Sequence, residues 1–243
     1  MAEQDVIAKP KASGGTVIPT AAAQRPVLEN GDRLTRCEFE RRYLLRSDVK
    51  KAELIEGVVY MPSPVRFAGH GEPHAAMLGV LLHYGAFTPG VRVGDNATVR
   101  LDLDNEPQPD ILLRIEPAAG GRSRVSDEDY IDGAPELVVE VAASSAAIDL
   151  HDKLNAYRRN GVPEYVVWRT EEGRIDWFVL ADGEYRPVPP DDEGVIHSRI
   201  FPGLRVAAGA LLSGDLARAL AELEKGIASP EHDRFVARLA RHA

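Results

Sequence analysis

The sequence contains a single cysteine and no long apolar run, and both shortages narrow the class of protein. Cys37 alone cannot form an internal disulfide, which favours a reducing compartment. No stretch approaches the roughly 20 apolar residues that a membrane helix needs. Lys9 and Lys11 are not followed by the apolar segment of a secretion signal. We therefore expect a cytoplasmic protein that does not enter a membrane.

Basic charge is also scarce. The chain has 29 Lys and Arg residues against 38 Asp and Glu residues, a net charge of −9. This balance argues against a protein that coats nucleic acid through bulk electrostatics, although it leaves room for a local basic groove. We find no helix-turn-helix, no zinc-type spacing of Cys and His, and no basic strip with interleaved aromatic residues. An acidic excess does suit carboxylates that gather around Mg²⁺ or Mn²⁺.

The 243 residues suffice for one well-buried core with terminal appendages. Residues 1–31 are rich in Ala, Pro and Gly and lack a sustained period, so we predict a mobile leader there. Residues 32–212 should form the main domain. Residues 213–243 should add a helical extension, because their apolar residues follow an amphipathic helical pattern.

Apolar periodicity predicts helices mixed with strands, which is typical of an α/β protein. The first helix should begin at a capping box of Thr35 and Glu38. The segment 149–160 should form a helix that Gly161 closes at its C-terminus. The Asp-Gly pair at 182–183 should turn a C-terminal β-hairpin.

A carboxylate interrupts the most apolar strand of the sequence. Residues 136–143 read ELVVEVAA, a run without helical period that is typical of a strand covered on both faces. Glu140 lies in its middle, and an ionised glutamate there is costly unless it has a partner. Either a bound cation or a structural ion pair with Lys153 or an arginine would supply that partner.

Two further polar residues lie where the pattern is apolar. Asp110 precedes the apolar strand ILLRI, and Lys153 falls at the edge of the buried stripe of helix 149–160. Two carboxylates on neighbouring strands repel each other unless a cation lies between them. We therefore expect the carboxylates of Asp110 and Glu140 within about 6 Å of each other, with the Lys153 ammonium directed towards them. Taken singly, Asp110 would more often be a turn residue and Lys153 a surface residue.

Several blocks of sequence occur in an order that is characteristic of one family. They are ELIEGVVYMPSPV at 53–65, a helix start with two histidines at 70–74, PD at 109–110, ELVVEV at 136–141, a serine pair at 144–145, YRRNGVPEYVVW at 157–168 and FPGLRV at 201–206. Together they resemble the Uma2 family, a branch of the PD-(D/E)xK nuclease superfamily, over about residues 33–235. The resemblance implies an α/β fold of the restriction-endonuclease type, a mixed sheet flanked by helices and extended by a C-terminal hairpin and helices.

The same resemblance implies an endonuclease that hydrolyses DNA with Mg²⁺ or Mn²⁺. Asp110 and Glu140 would be the metal-binding acids, and Val141 would add its backbone carbonyl. The superfamily pattern places a lysine two positions after the second acid, but Ala142 occupies that position here. Lys153, on the following helix, would then assist the attacking water in its place.

Four other residues complete the predicted site. Glu56 would add a carboxylate to the metal, and His70 and His74 would contact substrate or orient a ligand. Arg158 would face a phosphate or simply end a solvated helix. By the same resemblance, a homodimer would allow two strands to be cut. The alternative is a non-cleaving nucleic-acid-binding or assembly module that keeps the nuclease fold, and the displaced lysine and acidic charge favour it mildly.

Overall fold

The computed structural model describes residues 27–143 and 145–242. Most of the predicted leader at 1–31, and Ser144 of the serine pair, therefore lie outside the described residues. Leu28 belongs to the predicted leader, yet it is only 2% exposed and packs with Phe39 and Leu54 in a small apolar cluster. Over the described part of the chain, no helix combines the length and apolar character needed to cross a membrane.

The secondary structure follows the α/β pattern that the sequence predicts. The strands are β1 (Glu53–Ile55), β2 (Val58–Tyr60), β3 (Val91–Asp95), β4 (Val99–Arg100), β5 (Ile111–Ile115), β6 (Arg124–Val125), β7 (Ile131–Asp132), β8 (Leu137–Ala142), β9 (Glu164–Arg169), β10 (Arg174–Ala181), β11 (Glu184–Pro187), β12 (Val195–His197) and β13 (Arg205–Ala207). The α-helices are α1 (Arg36–Leu44), α2 (Glu72–Ala86), α3 (Ala146–Ile148), α4 (Leu154–Arg159), α5 (Ala208–Leu212), α6 (Leu216–Ile227) and α7 (Pro230–Leu239). Two π-helical turns, Phe67–Gly71 and Asp149–Lys153, lead into α2 and α4.

A six-stranded mixed sheet forms the centre of the molecule. Its strand order is β11-β10-β9-β8-β5-β3, in which β8 and β9 run parallel and the other neighbours run antiparallel. The parallel pair needs a crossover, and the helical segment from α3 to α4 provides it. The hairpin of β10 and β11 turns at Asp182 and Gly183, as predicted, and both residues have positive φ, the requirement of a type I′ turn.

The central strand β8 is covered on both faces, as its apolar run predicts. Leu137 and Val139 point into the main core, which α2 and the C-terminal helices cover. Val138 and Ala142 point to the other face and pack in a second apolar cluster with Tyr157 of α4. Successive strand residues alternate between faces, so Glu140 shares the face of Val138 and Ala142 and lies beneath α4.

The C-terminal helices, predicted as an extension, share the main core with the sheet. Leu223 of α6 and Phe235 of α7 are buried in the same apolar cluster as α2. Gly203 shows how closely they pack, since a Cβ at this position would lie 2.7 Å from the Cβ of His232.

One local prediction is wrong. Thr35 does precede α1, but its side chain makes no capping hydrogen bond. Glu38 instead binds the guanidinium groups of Arg41 and Arg42 at 2.7 and 2.6 Å. Charge-assisted bonds to arginine are stronger than a bond to the backbone N–H of Thr35, which explains why the reciprocal capping box does not form.

Candidate active site

The pairing of β5 with β8 brings the first two predicted residues together. Ile111 pairs with Val139, and the register continued by one residue places Asp110 opposite Glu140. Residues directly opposite each other on antiparallel strands project from the same face. Asp110 and Glu140 therefore lie side by side at the end of β8 from which the chain enters α3.

Lys153 reaches this pair from the helical crossover. Its Nζ lies 3.0 Å from Glu140 Oε1 and also 3.0 Å from Glu53 Oε1 on β1. Asp149, one turn earlier, lies 3.8 Å away. All of these side chains are buried. We refer to Glu53, Asp110, Glu140, Asp149 and Lys153 as the acid–lysine cluster.

Asp110 is held in its ionised form by several donors. Its Oδ2 accepts the backbone N–H of Val141 at 2.7 Å and lies 3.1 Å from His70 Nε2. Lys51 Nζ lies 4.0 Å from its Oδ1. Burial raises the pKa of Asp110, but the contacts with His70, Val141 and Lys51 outweigh burial and leave the pKa below its ordinary value.

Glu140 has the opposite titration. Burial raises its pKa, the charge of Lys153 lowers it, and the charges of Asp110, Asp149 and Glu53 raise it again, so that the pKa reaches about 8. The pKa of Lys153 lies well above its usual value, because the surrounding acids outweigh the effect of burial. A single ammonium therefore does not balance the negative charge that the acids of the cluster would carry if all were ionised.

The donor set limits how a cation could bind. Val141 directs its N–H towards Asp110. Because the N–H and C=O of one strand residue point to the same side of the strand, the Val141 carbonyl faces Asp110 as well. Within residues 27–143 and 145–242, no group of three or more His, Cys, Asp or Glu side chains is arranged to hold a metal. A cation here would thus depend on two carboxylates, a carbonyl and water. Mg²⁺ commonly binds in this way, through one or two carboxylates with several retained waters.

Two of the predicted site residues lie elsewhere. Glu56 is not at the cluster, because it occupies the turn between β1 and β2, where Glu56 and Gly57 both have positive φ. Its carboxylate pairs with Arg159 at 2.8 Å instead. Arg158 also points away, and its Nη1 donates to the Gly183 carbonyl in the β10–β11 hairpin at 2.9 Å.

The two predicted histidines lie next to each other beside the cluster. His70 contacts Asp110 directly, whereas His74 Nε2 lies 3.0 Å from Asp95 Oδ1. Their ring centroids are 5.5 Å apart in an edge-on arrangement. His70 therefore orients an acid of the cluster, and His74 packs behind His70.

Three residues of the site were missed by sequence reasoning. Glu53 lies between Ala52 and the apolar pair at 54–55, a weaker form of the signal that identifies Glu140, because charged residues flank this short segment on both sides. Asp149 lies four residues before Lys153, the spacing that brings two side chains to one helix face. Tyr157 lies four residues after Lys153, and its hydroxyl donates to Glu140 Oε1 at 2.9 Å.

A mixed sheet with helices on both faces and acids at the end of its central strands is the restriction-endonuclease-like fold. The model of the Uma2 family, described as "Putative restriction endonuclease", matches residues 37–210, and the chain belongs to this family.

Among solved structures, the chain is similar to one described as a putative nuclease belonging to DUF820 from Anabaena variabilis. The TM-score is 0.50 at 14% identity, and the match covers 67% of this chain and 90% of the other. At that identity the likeness shows the fold alone. The comparison with curated proteins gave no match.

Proposed function

We propose that the protein is a nuclease that hydrolyses DNA phosphodiester bonds with Mg²⁺ or Mn²⁺. The observation that carries this proposal is the surplus of buried acid: the carboxylates of Glu53, Glu140 and Asp149 lie 3.0, 3.0 and 3.8 Å from the single ammonium of Lys153. Asp110 lies opposite Glu140 on the neighbouring strand. A divalent cation would supply the positive charge that one lysine does not. The descriptions of the family and of the similar structure support a nuclease.

The residues present fit such a cation. Asp110 and Glu140 would bind it through carboxylate oxygens, and Val141 would bind it through the backbone carbonyl. When bound, the metal would polarise the phosphodiester and lower the pKa of a bound water. The other residues act around it. His70 fixes the orientation of Asp110, and Lys153 holds Glu140 while its ammonium stabilises negative charge that develops on the phosphate.

One observation favours the second candidate, a non-cleaving nucleic-acid-binding or assembly module. Lys153 already bridges Glu53 and Glu140, and Asp110 has partners in Val141 and His70. Buried acids that are paired in this way can serve stability alone. This candidate predicts no cleavage and no effect of Mg²⁺ or Mn²⁺ on the cluster.

A cleavage assay separates the two candidates. Purified protein with Mg²⁺ or Mn²⁺ should degrade or nick labelled DNA, and Asp110→Asn and Glu140→Gln should each abolish this by removing a metal ligand. Glu136→Gln is the matched control, because Glu136 is equally buried just before β8 but binds only the backbone N–H groups of Ile115 and Arg122. Its activity per folded molecule should remain that of the wild type.

The same assay has one further expected result and two outcomes that would count against the nuclease. Ca²⁺ should bind without supporting turnover, because its looser geometry positions water poorly. Cleavage that survives both carboxylate variants at the wild-type level would belong to a contaminant. If the protein cleaves neither single-stranded DNA, duplex DNA nor RNA, the binding module is favoured.

A further inference from the structure

An exposed segment leads into the candidate active site. Residues 62–68 are all exposed, and Phe67 is 76% exposed. Phe67 begins the π-helical turn that contains His70, whose ring contacts Asp110. The exposed aromatic ring therefore lies within one helical turn of a residue that touches the acid–lysine cluster. Val65, two residues earlier, is also exposed, at 67%, so this segment presents two large apolar side chains to solvent beside the site.

Hydrogen bonds fix the base of this segment. The N–H groups of His70 and Gly71 both donate to the Arg66 carbonyl, at 3.0 and 3.1 Å. Thr170 Oγ1 donates to the Gly69 carbonyl at 2.7 Å, and the Thr170 N–H donates to the last residue of β8. The segment is thus attached to the ends of β8 and β9, while its side chains face solvent.

Arg66 gives this exposed segment a positive charge. It is exposed, and within residues 27–143 and 145–242 its guanidinium has no ion-pair or hydrogen-bond partner. In contrast, Arg158 and Arg159 on α4 both pair with acids. A free guanidinium next to an aromatic ring suits a ligand that presents both phosphate and a flat base.

From this geometry we infer that Arg66 and Phe67 bind unpaired nucleotides next to the scissile phosphate. Phe67 stacks on a base, and Arg66 contacts a phosphate of the same strand. An aromatic face can stack only on a base that is splayed out or single-stranded, so the substrate class is single-stranded or locally unpaired nucleic acid. The inference rests on the proposed function, because it places the cleaved strand at the acid–lysine cluster.

Binding measured without cleavage tests this inference. Glu140→Gln serves as the background, and fluorescence anisotropy with labelled single-stranded and duplex DNA oligonucleotides of equal length gives the affinities. Phe67→Ala should weaken single-strand binding about 5- to 150-fold and leave duplex binding nearly unchanged. Phe87→Ala is the matched control, because Phe87 is also exposed, at 55%, but follows α2 at its far end.

The salt dependence of binding isolates the role of Arg66. Loss of one phosphate contact lowers the slope of log affinity against log salt by about 0.7 for a single strand. Arg66→Gln should show this decrease. Arg218→Gln on α6 should not, because Arg218 is exposed and lies on the helix that packs against β13 and α2.

The outcomes separate this inference from the proposed function. If Phe67→Ala binds single strands as tightly as Phe87→Ala does, the inference is wrong, even where the wild type cleaves DNA. Equal weakening of single-strand and duplex binding would also overturn it. If Phe67→Ala weakens only single-strand binding and the wild type cleaves nothing, the nucleotide-binding surface stands and the proposed nuclease does not.

Discussion

Replacing Glu140 by glutamine should stabilise the metal-free protein at pH 8. Burial and three neighbouring acids raise the pKa of Glu140 from 4.5 to about 8, so the folded state binds this proton more tightly than the unfolded state does. The free energy of unfolding contributed by this group therefore falls as the pH rises from about 4.5 to 8. At about 1.4 kcal/mol per unit, the full shift corresponds to roughly 4–5 kcal/mol.

The expected gain is smaller than that upper figure. The gain is smaller because the neighbouring acids share the cost of the extra charge, so that Glu140 does not bear all of it. The glutamine amide still keeps an oxygen that can accept hydrogen bonds from Lys153 and Tyr157. We expect Glu140→Gln to raise the free energy of unfolding by on the order of 1–3 kcal/mol at pH 8.5, with little effect at pH 5. Urea denaturation in EDTA, followed by tryptophan fluorescence at both pH values, measures this difference.

Glu136→Gln is a control variant for which we expect the opposite change in the free energy of unfolding. Glu136 is 4% exposed and Glu140 is 3% exposed, so burial does not distinguish them. The Glu136 carboxylate accepts the N–H groups of Ile115 and Arg122 at 2.7 and 3.1 Å, and an amide can accept only one of them well. This variant should be destabilised by about 1–2 kcal/mol at both pH values. If Glu140→Gln is destabilised in the same way at pH 8.5, Glu140 is an ionised structural partner of Lys153 and our reasoning about surplus acid is wrong.

Three further predictions concern the same fold. Lys153→Met should lower the free energy of unfolding by about 3–5 kcal/mol in urea denaturation at pH 8.5, because the buried acids lose their ammonium partner. Adding Glu140→Gln to this variant should recover part of the loss. Asp110→Asn should cost about 1–2 kcal/mol at pH 7. Because the folded-state pKa of Asp110 lies below its ordinary value of 3.8, this difference in the free energy of unfolding should shrink as the pH falls from 3.8 through the folded-state pKa. Gly203→Ala should lower the thermal midpoint of unfolding far more than Gly214→Ala does. Both glycines have positive φ, but only a Cβ at Gly203 would clash, because it would lie 2.7 Å from a side-chain carbon of α7. Equal midpoints for the two variants would contradict this packing.

The core of the candidate site could be predicted because it follows from regular periodicities. The two-residue period of β8 places Glu140 inside a doubly covered strand, and the 3.6-residue period of the next helix places Lys153 at the edge of its buried face. Asp110 follows from its position just before an apolar strand. Each of these positions depends only on the element that carries the residue and on the pairing of adjacent strands.

The rest depends on local turns and on contacts between distant segments. The sequence places Glu56 on an early strand beside a glycine, yet Glu56 and Gly57 both have positive φ and form the turn between β1 and β2, away from the cluster. Arg158 shares a helix with Lys153, but a carbonyl of the β10–β11 hairpin, 25 residues further along the chain, determines its direction. Sequence periodicity contains no information about which distant carbonyl or acid lies opposite a given side chain.

The most direct test of the proposed metal site is anomalous diffraction from crystals soaked in Mn²⁺ at pH 8. We expect one manganese peak between the carboxylates of Asp110 and Glu140, on the side of the Val141 carbonyl, and no such peak in Glu140→Gln crystals treated in the same way. A cluster that stays bridged by Lys153 without a peak, or a peak that persists at the same position in Glu140→Gln, would contradict the two-carboxylate site.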